Sequence, residues 1–359
     1  YISYPAGGKG SRIPHRIALR NVVATLRGTD PSDDRIILVS AHFDTRVEGD
    51  TDSATFAPGA NDDGSGIAAL MEMVRIMSSR EFPATIIFTA VSGEEHGLLG
   101  ASFMAKKAKE EGWNIIAMLN NDMIGNSSSS ETLLNDNMRV RVFSEGVPAL
   151  ETEGMTSLRR ATSGENDSKA RQLARYIKET GERYVEQMEV SLVYRNDRFG
   201  RGGDHSPLLQ QGSSAVRITE FNENYDRTHK TVSDVNSVHF GDTPEYVDYE
   251  YVRKNTGINL ASVANMALAP FSPDNVGVVV AGLTNSTTLR WEAPSKGKKP
   301  AGYYVLMRET NQSMWERKIY TDKTEITLPY SKDNYFFAVQ SVDGEGHESL
   351  AVFPAPVRK

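Results

Sequence analysis

The chain has seven histidines and no cysteine. Any metal ion it binds must therefore be held by imidazole nitrogens and carboxylate oxygens; disulfides, thiolate zinc sites, iron–sulfur clusters and cysteine nucleophiles are excluded together. His42 stands directly after an apolar run, in Ser40-Ala41-His42-Phe43-Asp44. Asp44, two residues on, is suited to accept a hydrogen bond from a metal-bound imidazole or its surroundings. Further along come Asn61-Asp62-Asp63, Glu94-Glu95 and Asn120-Asn121-Asp122, and much later Tyr225-Asp226-Arg227-Thr228-His229. Asp63 or Ser65 can cap the helix that follows them, but three consecutive acceptor side chains exceed what a cap uses. Adjacent carboxylates such as Glu94 and Glu95 repel when both are ionised, and a cation that holds one leaves the other with a usable pKa. A lone histidine at a strand end is more often structural than a ligand; His42 is singled out by the acids that share its setting. His15, His239 and His347 lie in no comparable motif and read as surface or structural.

These residues need a scaffold that brings them to one edge. Residues 17–26 and 35–41 are β-branched apolar runs bounded by Gly, Asp and Pro, the strand pattern. From Ser65 to Met77 the apolar positions Ile67, Leu70, Met71, Val74 and Met77 recur at three and four, one face of a helix. The cycle repeats: a strand at 84–91, a helix at 98–110, a strand at 115–120, a helix at 168–187, and strands at 189–194 and 215–220. Such alternation predicts an α/β fold, a mostly parallel central sheet flanked by helices. Three successive strands then end in His42, in Glu94-Glu95 and in Asp122, at the carboxyl edge where open α/β sheets bind ligands. Residues 126–165 are polar and weakly periodic and read as an excursion near the site rather than a sheet layer.

The expected catalytic domain spans residues 1–270. After Ala269-Pro-Phe-Ser-Pro273 the texture changes to short alternating segments with turn residues between them, which predicts a small all-β sandwich over residues 271–359. It resembles a fibronectin type III module, with Trp291 in the core and Tyr335 as a tyrosine corner. The composition is that of an ordinary globular protein, 39% hydrophobic and 24% charged. A formal charge of −7 without a basic block argues against nucleic acid as a partner, and no apolar run approaches the length of a membrane span. The opening Tyr1-Ile-Ser-Tyr-Pro5 has neither the charged nor the apolar region of a signal peptide.

The ordered set H-x-D, PGANDDGSG, SGEEHGLLG, NNDMIG and T-H resembles the co-catalytic dizinc aminopeptidases of the bacterial leucyl aminopeptidase and glutamate carboxypeptidase group, over roughly residues 17–270. The resemblance implies the zinc exopeptidase fold and two zinc ions per chain. His42 and Asp122 would bind one, Glu95 and His229 the other, with Asp62 bridging, often beside a cis peptide, here Asp62 to Asp63. It also implies removal of N-terminal residues from peptides by a zinc-bridging hydroxide, with Glu94 as general base. A nitrogen and oxygen ligand set suits zinc, whereas an all-oxygen cage favours calcium or magnesium.

Around this set, Asp44, Asp63, Arg201, Asp204, Tyr225 and Asp234 are expected to support the ligands or the substrate, Asp234 either by orienting His229 or, equally, by capping a helix. Thr228 stands where relatives often carry a Tyr that stabilises the tetrahedral intermediate, and Tyr225 is the available substitute. His96 is expected to be structural, and His205 to support structure or substrate. The alternatives are a carboxypeptidase or dipeptidase with a basic pocket for a terminal carboxylate, a single-zinc glutaminyl cyclase, and an inactive binding protein. Retention of Glu94 and all five ligand positions argues against the last. The resemblance also implies a secreted or periplasmic location, and a C-terminal module that contacts a surface, the substrate or the catalytic domain.

Overall fold

The computed structural model describes residues 2–7, 12–49 and 51–358. Strands β1 (Ile2–Tyr4) and β2 (Ile17–Leu19) form a two-stranded ribbon ahead of β3 (Val22–Leu26). Then β4 (Arg35–His42), α1 (Gly64–Met77), β5 (Thr85–Val91), α2 (Leu99–Glu110) and β6 (Asn114–Asn121) alternate. They are followed by β7 (Arg139–Phe143), α3 (Glu153–Thr162), α4 (Lys169–Tyr184), β8 (Glu189–Val193), α5 (Ser206–Gln210) and β9 (Ala215–Glu220). A ribbon of β10 (Ser233–Val235) and β11 (Val238–Phe240) precedes the long helix α6 (Tyr249–Leu268).

Seven strands make the central sheet in the order β3-β5-β4-β6-β9-β7-β8. The pairs β5-β4, β4-β6, β6-β9 and β7-β8 are parallel, while β3-β5 and β9-β7 are antiparallel. Apolar strands such as β4 are buried on both faces, so each face needs a cover. On one face Ile37, Val39, Phe88 and Leu119 share a core with Met73 and Met77 of α1, Leu173 and Ile177 of α4, and Ile258 and Val263 of α6. On the other, Leu38, Ile87 and Met118 pack with Ala105 of α2 and Leu208 of α5. Met73, fully buried, contributes about 1.5–3 kcal/mol by burial.

The register of this sheet sets the functional edge. His42 pairs with Val91, and Ser40 pairs with Asn120. Two residues beyond that second pair stand His42 and Asp122, level with each other, and Glu94-Glu95 emerge just past β5. Helix α1 enters close beneath them because Gly66 has no side chain; a Cβ there would meet the Asn121 carbonyl oxygen at 2.8 Å and the Asp63 carboxylate at 2.6 Å.

Three details depart from the sequence reading. The run 17–26 is two strands, broken at Arg20 and Asn21. The polar excursion 126–165 contains β7, which inserts between β9 and β8. Val140 and Val142 are buried there while Arg139 and Arg141 alternate with them. Those arginines are held by Asp136 and Glu223, so a charged alternation still makes a sheet strand. In α1 the buried face is turned toward Gly66, Leu70, Met73 and Met77, leaving Met71 exposed, because the small residues Ser65 and Gly66 let the first turn approach the sheet.

Beyond α6, a four-stranded sheet of β16 (Glu325–Leu328), β13 (Thr287–Glu292), β12 (Asp274–Val279) and β18 (Ala355–Val357) faces a three-stranded sheet of β15 (Arg317–Thr321), β14 (Gly302–Glu309) and β17 (Tyr335–Val342). Their shared core holds Leu289, Val305, Phe337 and Val339, with Trp291 edge-on to Tyr303 at 5.4 Å. Tyr335 packs against Tyr330, and among the described residues its hydroxyl has no hydrogen-bond partner, so it does not make the expected tyrosine corner.

The sandwich is locked onto the α/β part by buried charge. Asp167 accepts from Arg175 at 3.1 Å and from Arg308 of β14 at 2.7 Å, and all three side chains are 1% exposed. Arg175 Nε also donates to the Ser313 carbonyl, and both guanidinium groups stack on Trp315. Among the described residues no helix is long and apolar enough to cross a membrane.

Candidate metal centre

The loop after β4 and the cap of α1 are fixed first, because the site's carboxylates hang from them. Asp63 caps α1 by accepting from Gly66 N, and its carboxylate also takes the backbone N–H groups of His42 and Met123. It thereby ties the ends of β4 and β6 to the helix start and is turned away from ligation. The Asp62–Asp63 peptide bond is cis. Asp44 does the matching work on the other side, where its carboxylate accepts from the backbone of Gly93, Glu94 and Glu95. It is the Asp44 carbonyl, not its carboxylate, that lies 3.0 Å from His42 Nδ1. A proton on Nδ1 donated to that carbonyl leaves Nε2 as the ligating atom.

Two groups of side chains then converge. In the first, His42 Nε2 lies 3.1 Å from Asp62 Oδ1 and 3.9 Å from Asp122 Oδ1. In the second, His229 Nε2 lies 2.9 Å from Asp62 Oδ2 and 2.8 Å from Glu95 Oε1. Asp62 thus presents one carboxylate oxygen to each histidine. The backbone of His229 adopts a positive φ of 61°, which aims the ring out of its loop and into the cluster.

The electrostatics suit cations. Asp62, Glu95 and Asp122 are buried, Glu94 stands next to them, and Arg46 and Arg217 offer far less positive charge than the carboxylates need. Arg46 Nε lies 3.3 Å from Glu95, with Nη2 3.0 Å from His229 Nδ1. Burial works against ionised Asp62, but His229 and His42 outweigh it and hold its carboxyl well below the usual range. The same pairing, against burial, raises His229 to about 9. Glu95 Oε1 is buried with no donor aimed at it despite the short approach of His229, an orphaned acceptor of the kind a cation satisfies. The donor set, two imidazoles and three carboxylates, fits zinc.

Glu94, adjacent to Glu95, belongs to neither group. Burial, with Asp122, Asp204 and Glu95 nearby, raises its carboxyl well above the ordinary range against the pull of His42. Asp204 is fully buried with neither oxygen hydrogen-bonded. Burial raises it to about 7, in the field of His42, Asp122 and Arg217. His205 Nε2 donates to the Asn196 carbonyl, 2.7 Å away, and is not in either metal group.

Other expected supports lie elsewhere. Asp234 receives His239 Nδ1 at 2.9 Å on the exposed β10–β11 ribbon; the group beside His229 Nδ1 is Arg46, so the orienting role expected of Asp234 is corrected. Tyr225 is exposed and lies among Glu223, Arg201, Arg141 and Arg198. Thr228 Oγ1 turns toward Met123 Sδ and the Asn224 carbonyl.

Sequence reasoning missed four residues. Arg217 Nη2 lies 2.8 Å from Asp122 Oδ1, behind that ligand. A charge in the wholly buried strand AVRITE was the available signal. In the same strand Glu220 is fully buried and accepts from Asn61 Nδ2 and Asn126 N. Asp242 accepts the backbone N–H groups of Asn61 at 2.9 Å and Asp62 at 2.7 Å, across about 180 residues of chain. Nothing local in the sequence announced it, or Arg46.

The model of peptidase family M28 matches residues 21–247. The chain is 41% identical to a probable zinc metalloprotease of Leptosphaeria maculans, over 96% of this chain and 80% of that protein. It is 42% identical to a probable zinc metalloprotease of Pyricularia oryzae, over 97% of this chain and 70% of that one. Its fold is similar to that of LapA from Legionella pneumophila, with a TM-score of 0.50 and 20% identity over 74% of this chain; the match spans 60% of the LapA chain. With a family model covering most of the α/β part and relatives aligned along nearly its whole length, this chain belongs to peptidase family M28.

Proposed function

We propose that this protein is a dizinc aminopeptidase that removes N-terminal residues from peptides. Family membership supports the coarser statement, a zinc-dependent hydrolase. The observation that carries the finer one is the division of Asp62, whose two oxygens each face a different histidine, one with Asp122 and the other with Glu95. In this reading His42, Asp62 and Asp122 hold one zinc and Asp62, Glu95 and His229 the other.

Bound zinc supplies Lewis acidity, lowering the pKa of a water toward ~7 and polarising a carbonyl. Glu94 takes a proton from the attacking water and returns it to the leaving amine. It is placed for this by Asp44, which fixes the backbone of Gly93 to Glu95. Arg217 and Asp242 hold ligands in place: the first backs Asp122, the second fixes the loop that carries Asp62.

The preference for a free amino terminus rests on the resemblance, as do the fibronectin type III assignment of residues 271–359 and a location outside the cytoplasm. Hydrolysis of leucyl-anilide but not N-acetyl-leucyl-anilide by the zinc-loaded protein, lost in Glu94→Gln, is the expected result. Equal hydrolysis of both anilides would reject the aminopeptidase; full activity in Glu94→Gln would reject the base.

A further inference from the structure

Outside the metal centre, three arginines gather on one carboxylate. Glu223 accepts from Arg141 Nη2 at 2.7 Å and from Arg198 Nη1 and Arg201 Nη1, each at 3.2 Å. The Glu223 side chain is 5% exposed and those of Arg141 and Arg198 are 18% and 9% exposed; that of Arg201 is 34% exposed. Even with Asp197, which also pairs with Arg198, two carboxylates face three guanidinium groups, so the cluster carries surplus positive charge in a chain whose net charge is −7.

The cluster is joined to the metal centre by an unbroken series of ion pairs. Arg217 reaches Asp122 with Nη2 and Asp197 with Nη1; Asp197 receives Arg198; Arg198 shares Glu223 with Arg201. The loop bearing Arg201 is pressed against the same place. Gly202 O accepts from Arg217, and a Cβ on Gly203 would sit 3.1 Å from Arg217 Nη1 and 3.4 Å from Asn120 Nδ2. Arg201, two residues from Gly203, is therefore at most about 7 Å along the chain from that packing.

The other arginines are already used. Arg141 Nε donates to the Glu220 carbonyl and Arg198 Nε to Asp197, while Arg201 spends only Nη1, on Glu223. The Nε and Nη2 edge of Arg201, with no partner among the described residues, is the fork that matches a carboxylate with two parallel hydrogen bonds.

We propose that Arg201, backed by Arg141 and Arg198, is a specificity residue that binds a carboxylate of the peptide substrate beside the metal centre. The proposal rests on the peptidase reading above. The carboxylate has two sources, an acidic side chain or the C-terminus of a short peptide.

Isosteric substrate pairs separate them on the zinc-loaded protein: glutamyl-anilide against glutaminyl-anilide, and alanyl-alanine against alanyl-alaninamide. At least a tenfold higher kcat/KM for the charged member of one pair is expected, carried in KM, and the pair that shows it names the source. Arg201→Ala lowers that preference at least tenfold, and Arg201→Lys, which keeps the charge and loses the fork, restores it in part. As a measurement free of any folding effect, succinate inhibits leucyl-anilide hydrolysis by the unsubstituted protein at least tenfold more strongly than succinamide. Equal turnover within both pairs, or a preference that survives Arg201→Ala, overturns the carboxylate subsite while leaving the peptidase standing. No hydrolysis of any substrate overturns both.

Discussion

Removing the Asp242 carboxylate should loosen zinc without touching a ligand. In Asp242→Ala the backbone N–H groups of Asn61 and Asp62 lose their acceptor inside the protein. Each orphaned buried donor costs about 1–3 kcal/mol. If the whole of that, about 2–6 kcal/mol, were expressed in binding, zinc affinity would fall by roughly 30-fold to 20,000-fold, at about 1.4 kcal/mol per decade. The loop has other anchors, however. Asn61 Nδ2 stays on Glu220, Asn61 Oδ1 on Gly125 N, and Ser65 Oγ on the Asn61 carbonyl. Part of the loss is therefore absorbed, and the expected fall is about 10-fold to 100-fold, the range found for groups just outside a metal's ligands. Because Asp62 faces both histidines, both zinc ions should weaken together. Competition against a chromophoric chelator reads this directly, and Asp242→Asn, which keeps one acceptor oxygen, should lie between. Affinity within twofold of the parent, or weakening at one zinc alone, would refute the reasoning.

Two further outcomes follow from buried charge. In Asp167→Ala the guanidinium groups of Arg175 and Arg308 remain buried without their shared anion, a loss of about 3–5 kcal/mol. Calorimetry should show a lowered melting transition and a sandwich that separates from the α/β part, whereas an unchanged melt would mean the network is idle. Burial, with Glu151 nearby, raises Glu145 to about 7 despite its bond from Ala149 N and the nearby Arg171. A folded-state pKa raised above the unfolded value means the unfolded chain ionises first, so Glu145 costs stability as pH rises from about 4.5 to 7. Glu145→Gln should then be more stable than the parent at pH 8, by on the order of 1–3 kcal/mol, and show no advantage near pH 4. Urea unfolding at the two pH values checks the sign, and an advantage at pH 4 instead would contradict it.

The parts of the site legible in the sequence are those fixed within one element. His42, Glu94, Glu95 and Asp122 each follow a strand whose apolar run is visible, and parallel pairing puts such strand ends on one edge. Asp62 and Asp63 precede a helix whose start is marked by the capping chemistry of Asp63. What stayed hidden depends on partners far along the chain. Asp242 meets the Asp62 loop across some 180 residues, and Arg46 reaches His229 across 183. Asp234 illustrates the converse: closeness in sequence to His229 suggested a contact, but the β10–β11 ribbon carries it to His239. Strand β7 was missed because its outward residues are arginines in a polar segment, and only its partners Asp136 and Glu223 make that acceptable. Arg217 and Glu220 could have been found, since a charge inside an otherwise apolar strand needs a reason. The docking of the sandwich through Asp167 could not, because Arg308, which shares that anion with Arg175, lies 141 residues further along the chain.

The central claim is that Asp62 joins two metal sites, and zinc stoichiometry tests it most directly. Chelator-washed, zinc-reconstituted protein should hold two zinc ions per chain by plasma emission spectrometry. His42→Ala and His229→Ala should each retain about one, Asp62→Ala fewer than either, and Glu94→Gln both, with its activity gone. One zinc ion in the parent, or two retained in Asp62→Ala, would contradict the account.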